Sequence, residues 1–457
     1  MRDSAATVLS KGRLVMKDWL KMSAAALGRG IGAKEIDPVD LAQTYLEAAA
    51  AHPMCEHIYT CLTPERALSE AKAASARAKL GQRLSPLDGV PVSWKDLFDS
   101  AGVTTEAGSA LLKDRTPTKD AEVLGNATAL GAVCIGKTHM SELAFSGLGY
   151  NPITQTSPCV HDADAVAGGS SSGAAASVAH YIAPLAIGSD TGGSVRIPSV
   201  WNDLVGLKTT SGRISLNGVV PLVKSFDTVG PLARSVEDAA LALGALEGTK
   251  GPDLAGADLR GTHFAVLKTL ALDEIEDQPR EAFESAVQRL KAGGAQITEI
   301  EAPEVLEAIS HAGPLFPGEA YGLWRDVIEN NPDVMFAQVL GRFRAGADFS
   351  APDYVSAWET LNSLRKTWNA RIAGFDAVLT PTCPIMPPKI ADLAADEAYY
   401  VERNLKALRN TRIGNLMGGC ALTLPTGTPS CGIMLTAQAN HEERLLRLGG
   451  AAETALA

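Results

Sequence analysis

Gly168-Gly169-Ser170-Ser171-Ser172-Gly173 and Gly188-Ser189-Asp190-Thr191-Gly192-Gly193-Ser194-Val195-Arg196-Ile197-Pro198 flank a mostly apolar segment. Glycine lets the backbone pass close to a ligand, and a cluster of it turns several N–H groups toward one point. Hydroxyls beside such a nest are candidate nucleophiles. One serine-rich loop alone reads as a solvated turn. Two of them, joined by an apolar bridge from Gly173 to His180 that reads as a buried alanine-rich helix, point to acyl-transfer chemistry.

Upstream, Lys95 stands in Asp88-Gly89-Val90-Pro91-Val92-Ser93-Trp94-Lys95-Asp96. Taken bare, it reads as a surface lysine that lays its stem on apolar neighbours and keeps its ammonium in water. The other reading is burial, which lowers a lysine pKa from about 10.4 and yields an amine able to take a proton from a hydroxyl.

Taken together, these residues resemble the amidase signature family over about the first half of the chain. Gly89-Val90-Pro91 with Lys95-Asp96 is similar to its lysine motif, followed by Thr104-Thr105 and Gly108-Ser109. Gly136-Lys137-Thr138 with Met140, Glu142 and Ala144 resembles the next block, and Gly206-Leu207-Lys208-Thr209 follows the serine clusters. Positions 170 and 194 lie 24 apart, the spacing the family keeps.

The resemblance implies a Ser–cis-Ser–Lys triad: Ser194 as nucleophile, Ser170 as the bridging serine on a cis Gly169-Ser170 peptide, and Lys95 as base. The bridging hydroxyl both accepts and donates, so it can relay a proton. It further implies an oxyanion hole from the N–H groups of Thr191, Gly192, Gly193 and Ser194, each such donor being worth about 3 kcal/mol. Residues Ala144, Phe145, Ser146 and Gly147 are implied to approach the acyl group. No metal or organic cofactor is implied. The chain departs from the family in having Ala167 where relatives carry proline, and Cys159-Val160-His161 where they carry an Asn-Pro pair. Neither change touches a proposed catalytic atom.

Composition agrees with a globular enzyme: 457 residues, 46% hydrophobic and 20% charged. A net charge of −11 argues against nucleic acid, which needs a basic footprint. The seven cysteines are odd in number and lack C-x-x-C spacing, so neither a disulfide framework nor a zinc site is expected. The opening Met1-Arg2-Asp3-Ser4 leads into no sustained apolar core, and no apolar run reaches the roughly 20 residues of a membrane span. A cytoplasmic protein without membrane attachment is expected. The partner is a small-molecule amide, and the resemblance allows a homodimer.

Helical and strand signals alternate, the pattern of an α/β protein. Helices are expected from Asp37-Pro38 to Ala51, from Thr63-Pro64 to Leu80, from Ala121 to Leu130 and from Pro279 to Leu290; strands are expected at Ala132–Ile135, His263–Leu267, Gln296–Ile300 and Phe375–Leu379. Leu246–Thr262 is the best candidate boundary, a linker or a long surface loop. The resemblance favours a single large domain over residues 1–457, with a signature core at about 85–240. The segment at about 263–457 would complete a mixed central sheet surrounded by helices and the substrate pocket. Leu315–Arg344 mixes aromatics, proline and glycine as a pocket wall does, although Tyr321, Trp324 and Phe336 read equally as core. Asp190 and Arg196 read as a structural ion pair or backbone clamp, and Asn415, Leu416 and Met417 as structural or pocket-edge residues.

The function expected is hydrolysis of a carboxylic amide through an acyl-enzyme on Ser194. Two alternatives stand beside it. A glutaminase component of a tRNA-dependent amidotransferase carries the same signature. Gly169-Ser170-Ser171-Ser172-Gly173 also fits the G-x-S-x-G elbow of α/β-hydrolases, which would use Ser171 with one of His263, His311 or His441.

Overall fold

The computed structural model describes residues 18–457; the stretch opening at Met1, read above for a leader, lies outside them. Local signals place the helices. Asp37 caps Pro38–Ala51, its carboxylate accepting the Val39 N–H at 2.8 Å, and Pro38 sits in the first turn, where no intrahelical donor is required. Pro64 likewise stands in the first turn of Pro64–Leu80, though Thr63 makes no side-chain cap there. The expected helices near 121 and 279 run Glu122–Ala129 and Asp277–Ala292. The bridge between the serine clusters is the helix Ser172–Ala179, buried at every residue.

The strands are β1 (Tyr59–Leu62), β2 (Pro91–Lys95), β3 (Val133–Thr138), β4 (Pro158–Cys159), β5 (Asp162–Val166), β6 (Leu185–Asp190) and β7 (Val205–Lys208). They continue as β8 (Thr228–Ala233), β9 (His263–Leu267), β10 (Gln296–Ile300), β11 (Ala377–Pro381), β12 (Cys420–Pro425) and β13 (Gly432–Ala437). Eleven of them form one mixed sheet in the order β1-β3-β2-β6-β8-β7-β12-β13-β11-β9-β10, while β4 and β5 pair apart. Strands β2, β3, β6, β7, β8, β11 and β13 are buried along their whole length. Such strands, covered on both faces, read as continuous apolar runs without alternation. At one edge β10 is largely exposed and polar, which discourages pairing with another chain.

The loop 248–262 connects the helix Val236–Glu247 to β9. Strands from before and after it pair side by side, since β12 runs antiparallel to β7 through Leu422–Leu207. Lys208, at the end of β7, donates its ammonium to the carbonyls of Thr209 and Gly419 at 2.9 and 2.8 Å, and so ties the two halves together again.

Two strands differ from their expected bounds. β3 continues past Ile135 to Thr138 because Lys137, which interrupts the apolar run, is neutralised inside: its ammonium meets Asp96 Oδ1 at 3.0 Å and Thr105 Oγ1 at 2.8 Å. β11 starts at Ala377 and includes Pro381, which pairs with Ile433 of β13 beyond the last pairing with β9 at Leu379–Val266. The missing proline N–H thus falls where one ladder has already ended.

Gly230 shows how tightly the centre is built. A Cβ there would lie 1.9 Å from the Leu207 carbonyl oxygen on β7, and backbone cannot yield as a side chain would. Gly230→Ala is expected to lower stability by about 3 kcal/mol, read as a lower denaturant midpoint at unchanged slope. A midpoint equal to that of the parent would show that β7 and β8 are free to separate.

Candidate active site

β2 and β6 run parallel, so their carboxyl ends meet at the same edge of the sheet, where ligands bind in open α/β sheets. Lys95 ends β2, and Ser189 and Asp190 end β6. The Lys95 side chain is wholly buried, so the reading as a snorkelling surface residue does not hold. Its Nζ donates to Ser170 Oγ at 2.7 Å and to Ser189 Oγ at 2.8 Å. Burial pushes its pKa down to about 7, against the opposing pull of the Asp190 and Asp227 charges.

The Gly169-Ser170 peptide is cis. Ser170 is held on both sides: its carbonyl accepts the Ser141 N–H at 3.1 Å, and Gly169 donates to the Gly147 carbonyl at 2.8 Å. The next residue, Ser171, donates its N–H to the Ser194 carbonyl at 3.2 Å, which draws the two serine loops together. Ser171 Oγ itself is buried and donates to the Ser189 carbonyl at 3.2 Å. None of His263, His311 or His441 bonds to it: His263 meets Thr298, and His441 begins the last helix. Ser194 Oγ has no hydrogen-bond partner among the described residues and lines a narrow cleft.

The loop carrying Ser194 is fixed by Asp190. Its Oδ1 accepts from the Gly193 N–H at 2.9 Å, and its Oδ2 from the Val195 N–H at 3.1 Å. Arg196 adds a two-pronged pairing, Nε to Oδ2 at 3.0 Å and Nη2 to Oδ1 at 2.8 Å. Burial alone would raise the Asp190 pKa, but the Arg196 charge and hydrogen bonds overcome it and hold the carboxyl well below the usual range. The expected ion pair and backbone clamp are thus one device.

The pairing of Gly193 with Asp190 corrects one expectation. The Gly193 N–H is turned inward and is not free for a ligand, whereas those of Thr191, Gly192 and Ser194 donate to no acceptor among the described residues. Gly193 serves a different purpose. Its φ is 142°, and a Cβ would lie 2.1 Å from Thr411 Oγ1, so only glycine lets the helix Glu397–Leu416 approach this loop. Thr411 Oγ1 in turn donates to the Gly192 carbonyl at 2.7 Å.

Of the residues expected at the acyl group, Ala144, Phe145 and Ser146 line the cleft. Gly147 does not; its N–H donates to Asn404 Oδ1 at 2.8 Å, and it packs against Leu408 and Ile197. Ser146 is held by Tyr400, whose hydroxyl lies 2.8 Å from its Oγ. Phe316 and Arg342 come to the cleft from the expected 315–344 wall, while Tyr321, Trp324 and Phe336 do not line it. Trp324 is core, donating to the Pro221 carbonyl at 2.9 Å. Ser189 and Arg342 lie within stretches the sequence already singles out but receive no role of their own there, nor does Arg412, because pairing with Lys95 or facing the cleft depends on elements that meet only in the fold.

Among the described residues, no group of three or more His, Cys, Asp or Glu side chains could hold a metal ion, and no helix is long and apolar enough to cross a membrane. Comparison with known proteins places the chain among similar sequences. The Amidase family model matches residues 40–446. The 2-amino-5-chloromuconic acid deaminase of Comamonas testosteroni is 36% identical over 427 residues, covering 90% of this chain and 91% of that protein. A glutamyl-tRNA(Gln) amidotransferase subunit from Acidothermus cellulolyticus is 31% identical, covering 96% of this chain and 95% of that protein. A crystal structure of an amidase superposes with a TM-score of 0.85 at 29% identity, covering 95% of this chain and all of the other.

Asp190→Asn should separate this clamp from the remainder of the fold. It keeps the shape but leaves the Arg196 guanidinium buried without its counter-charge. A loss of about 3–5 kcal/mol is expected, measured by denaturant unfolding. A loss under about 1 kcal/mol would mean that Thr411 and Asn415 satisfy Arg196 unaided.

Proposed function

Because this chain belongs to the amidase family, we propose that it cleaves the carbon–nitrogen bond of a carboxylic amide through an acyl-enzyme formed on Ser194. Lys95, Ser170 and Ser194 would be the reacting groups. The observation that carries the reading is the fully buried Lys95 amine, poised near neutrality and bonded to Ser170 Oγ at 2.7 Å below the cleft that Ser194 lines.

The chemistry follows from those positions. With its side chain turned to Ser170, Ser194 Oγ attacks the amide carbonyl carbon as its proton passes to Ser170 Oγ, while the Ser170 proton passes to the neutral Lys95 Nζ. The carbonyl oxygen, becoming anionic, is received by the N–H groups of Thr191, Gly192 and Ser194. Lys95 then returns a proton through Ser170 to the departing nitrogen, and ammonia or an amine leaves. Water attacks the Ser194 ester, with the same relay acting as base, and frees the acid. Ser189, the second acceptor of the Lys95 ammonium, stabilises the protonated amine between these steps and aims it.

The likeness to an amidotransferase component over 96% of the chain supports a second reading, glutamine hydrolysis inside a larger assembly. The purified chain alone should hydrolyse a small amide. Activity that appears only with added partner proteins and tRNA would assign it to such an assembly.

Two experiments test the chemistry. A fluorophosphonate should add its mass to the peptide carrying Ser194, and Ser194→Ala should abolish labelling; modification of Ser171 would point to the nucleophile-elbow scheme. Lys95 accepts a proton only when neutral, so kcat/KM is expected to climb tenfold per pH unit in acid and level off above the lysine pKa of about 7. Lys95→Arg cannot lose its charge and should reduce turnover by about 10³-fold. Near-normal turnover of that variant at neutral pH would refute the relay.

A further inference from the structure

The cleft beside Ser194 is charged in a way the hydrolytic machinery does not use. Arg342, from the helix Ala337–Arg344, and Arg412, from the helix Glu397–Leu416, both line it, and no Asp or Glu does so among the described residues. In a chain of net charge −11, this leaves two cations together at a narrow space.

Some inward-facing guanidinium groups have carboxylate partners, Arg196 with Asp190 and Arg213 with Glu442, and others, Arg365 and Arg234, give their donors to backbone carbonyls. Arg342 and Arg412 form no ion pair among the described residues. Arg342 donates to the Phe145 carbonyl at 3.0 Å, and its guanidinium lies 4.3 Å from the centre of the Phe145 ring. Arg412 lies 5.9 Å from the Phe316 ring. These contacts orient the two groups without neutralising them.

Burial disfavours the charge of both and lowers Arg412 to about 10; burial and the Arg412 charge together lower Arg342 to about 9. Arginine nonetheless stays protonated in proteins. The repulsion therefore persists until an anion enters the cleft. A planar carboxylate is the anion whose geometry suits the guanidinium fork.

We propose that Arg342 and Arg412 receive a carboxylate of the substrate, so that the amides this site takes are small ones bearing a carboxylate group, such as monoamides of short dicarboxylic acids. The proposal rests on the reading of Ser194 as the nucleophile. It adds specificity-determining residues from two helices outside the serine loops. The anion is held at one end of the cleft while the carbonyl lies over Ser194, which fixes the reacting carbon in place. A neutral amide of the same length leaves both half-buried cations unmatched, and the site rejects it on that account.

The test compares substrates that differ only in a carboxylate replaced by a methyl group. Succinamate is set against butyramide, glutaramate against valeramide, and N-acetylglycine against N-ethylacetamide. The first two pairs place the charge on the acyl part and the third on the amine part. The acid of at least one pair should have a kcat/KM about 30-fold or more above its neutral match. Arg412→Gln and Arg342→Gln should each shrink that ratio by about tenfold or more, and Arg412→Lys should recover part of it.

Glutarate should also raise the melting temperature of the wild-type protein, and the glutamine variants should lose this effect. Labelling of Ser194 by a fluorophosphonate verifies that each variant keeps its site. Equal or faster hydrolysis of the neutral amides, with no stabilisation by glutarate, would overturn the proposal and leave the amidase reading intact. Failure to hydrolyse any amide, with Ser194 unlabelled, would overturn the nucleophile instead. Glutarate stabilisation would still report on the anion site in that case.

Discussion

Asp190 and Arg196 are both closed off from solvent, and the remaining hydrogen-bonding capacity of the pair is spent on the parts of the site that must keep their places. Besides the two arginine bonds, the carboxylate takes the N–H groups of Gly193 and Val195, and Asn415 Nδ2 at 3.0 Å. The guanidinium reaches the Thr411 carbonyl at 2.7 Å and Asn415 Oδ1 at 2.6 Å. One ion pair therefore shapes the loop that presents Ser194 and binds it to a helix more than two hundred residues further along the chain. A buried pair gains little net stability over an apolar replacement but is costly to break. Its contribution here is geometric: it leaves the loop one way to lie.

The same carboxylate acts on Lys95 through space. Burial drives the amine toward its neutral form, and the charges of Asp190 and Asp227 pull it back. Under the proposed relay, neither influence alone would give a useful base. An unrelieved desolvation would leave an amine too weak to hold the serine proton, and an unopposed carboxylate would keep it charged at every physiological pH. Ser170 and Ser189 both lie within hydrogen-bond reach of the amine, so an ammonium formed by the proposed relay meets oxygen acceptors already in position.

The cleft itself belongs to the later half of the chain as much as to the serine loops. Phe316, Arg342, Leu408 and Arg412 face Ala144, Phe145 and Ser146 across it. Aromatic edges set the Phe145 wall, where the ring meets Phe343 with centroids 4.7 Å apart, and Asp227 both anchors Thr191 Oγ1 at 2.5 Å and accepts the Leu222 N–H at 2.9 Å. The helix Glu397–Leu416 thus both holds the Ser194 loop, through Thr411 and Asn415, and supplies Leu408 and Arg412 to the cleft.

The sequence by itself determined the elements whose causes are local. Asp37-Pro38 begins a helix because a carboxylate and a fixed φ do so wherever they occur, and the glycine-serine clusters announce tight backbone beside hydroxyls. It also carried Lys95, Ser170 and Ser194 as candidates, through the resemblance of their motifs to the amidase signature. Packing decided everything that depends on distant partners. Lys137 could extend β3 only because Asp96 and Thr105 meet its charge, and Gly193 turned its N–H to Asp190 instead of outward. Ser189 reached Lys95 through the register of β2 beside β6, and Arg342 and Arg412 reached the cleft on helices that no local signal directs there. The physical reason is one of range: capping and turn preferences act within a few residues, whereas burial and pairing of charge are properties of the folded neighbourhood.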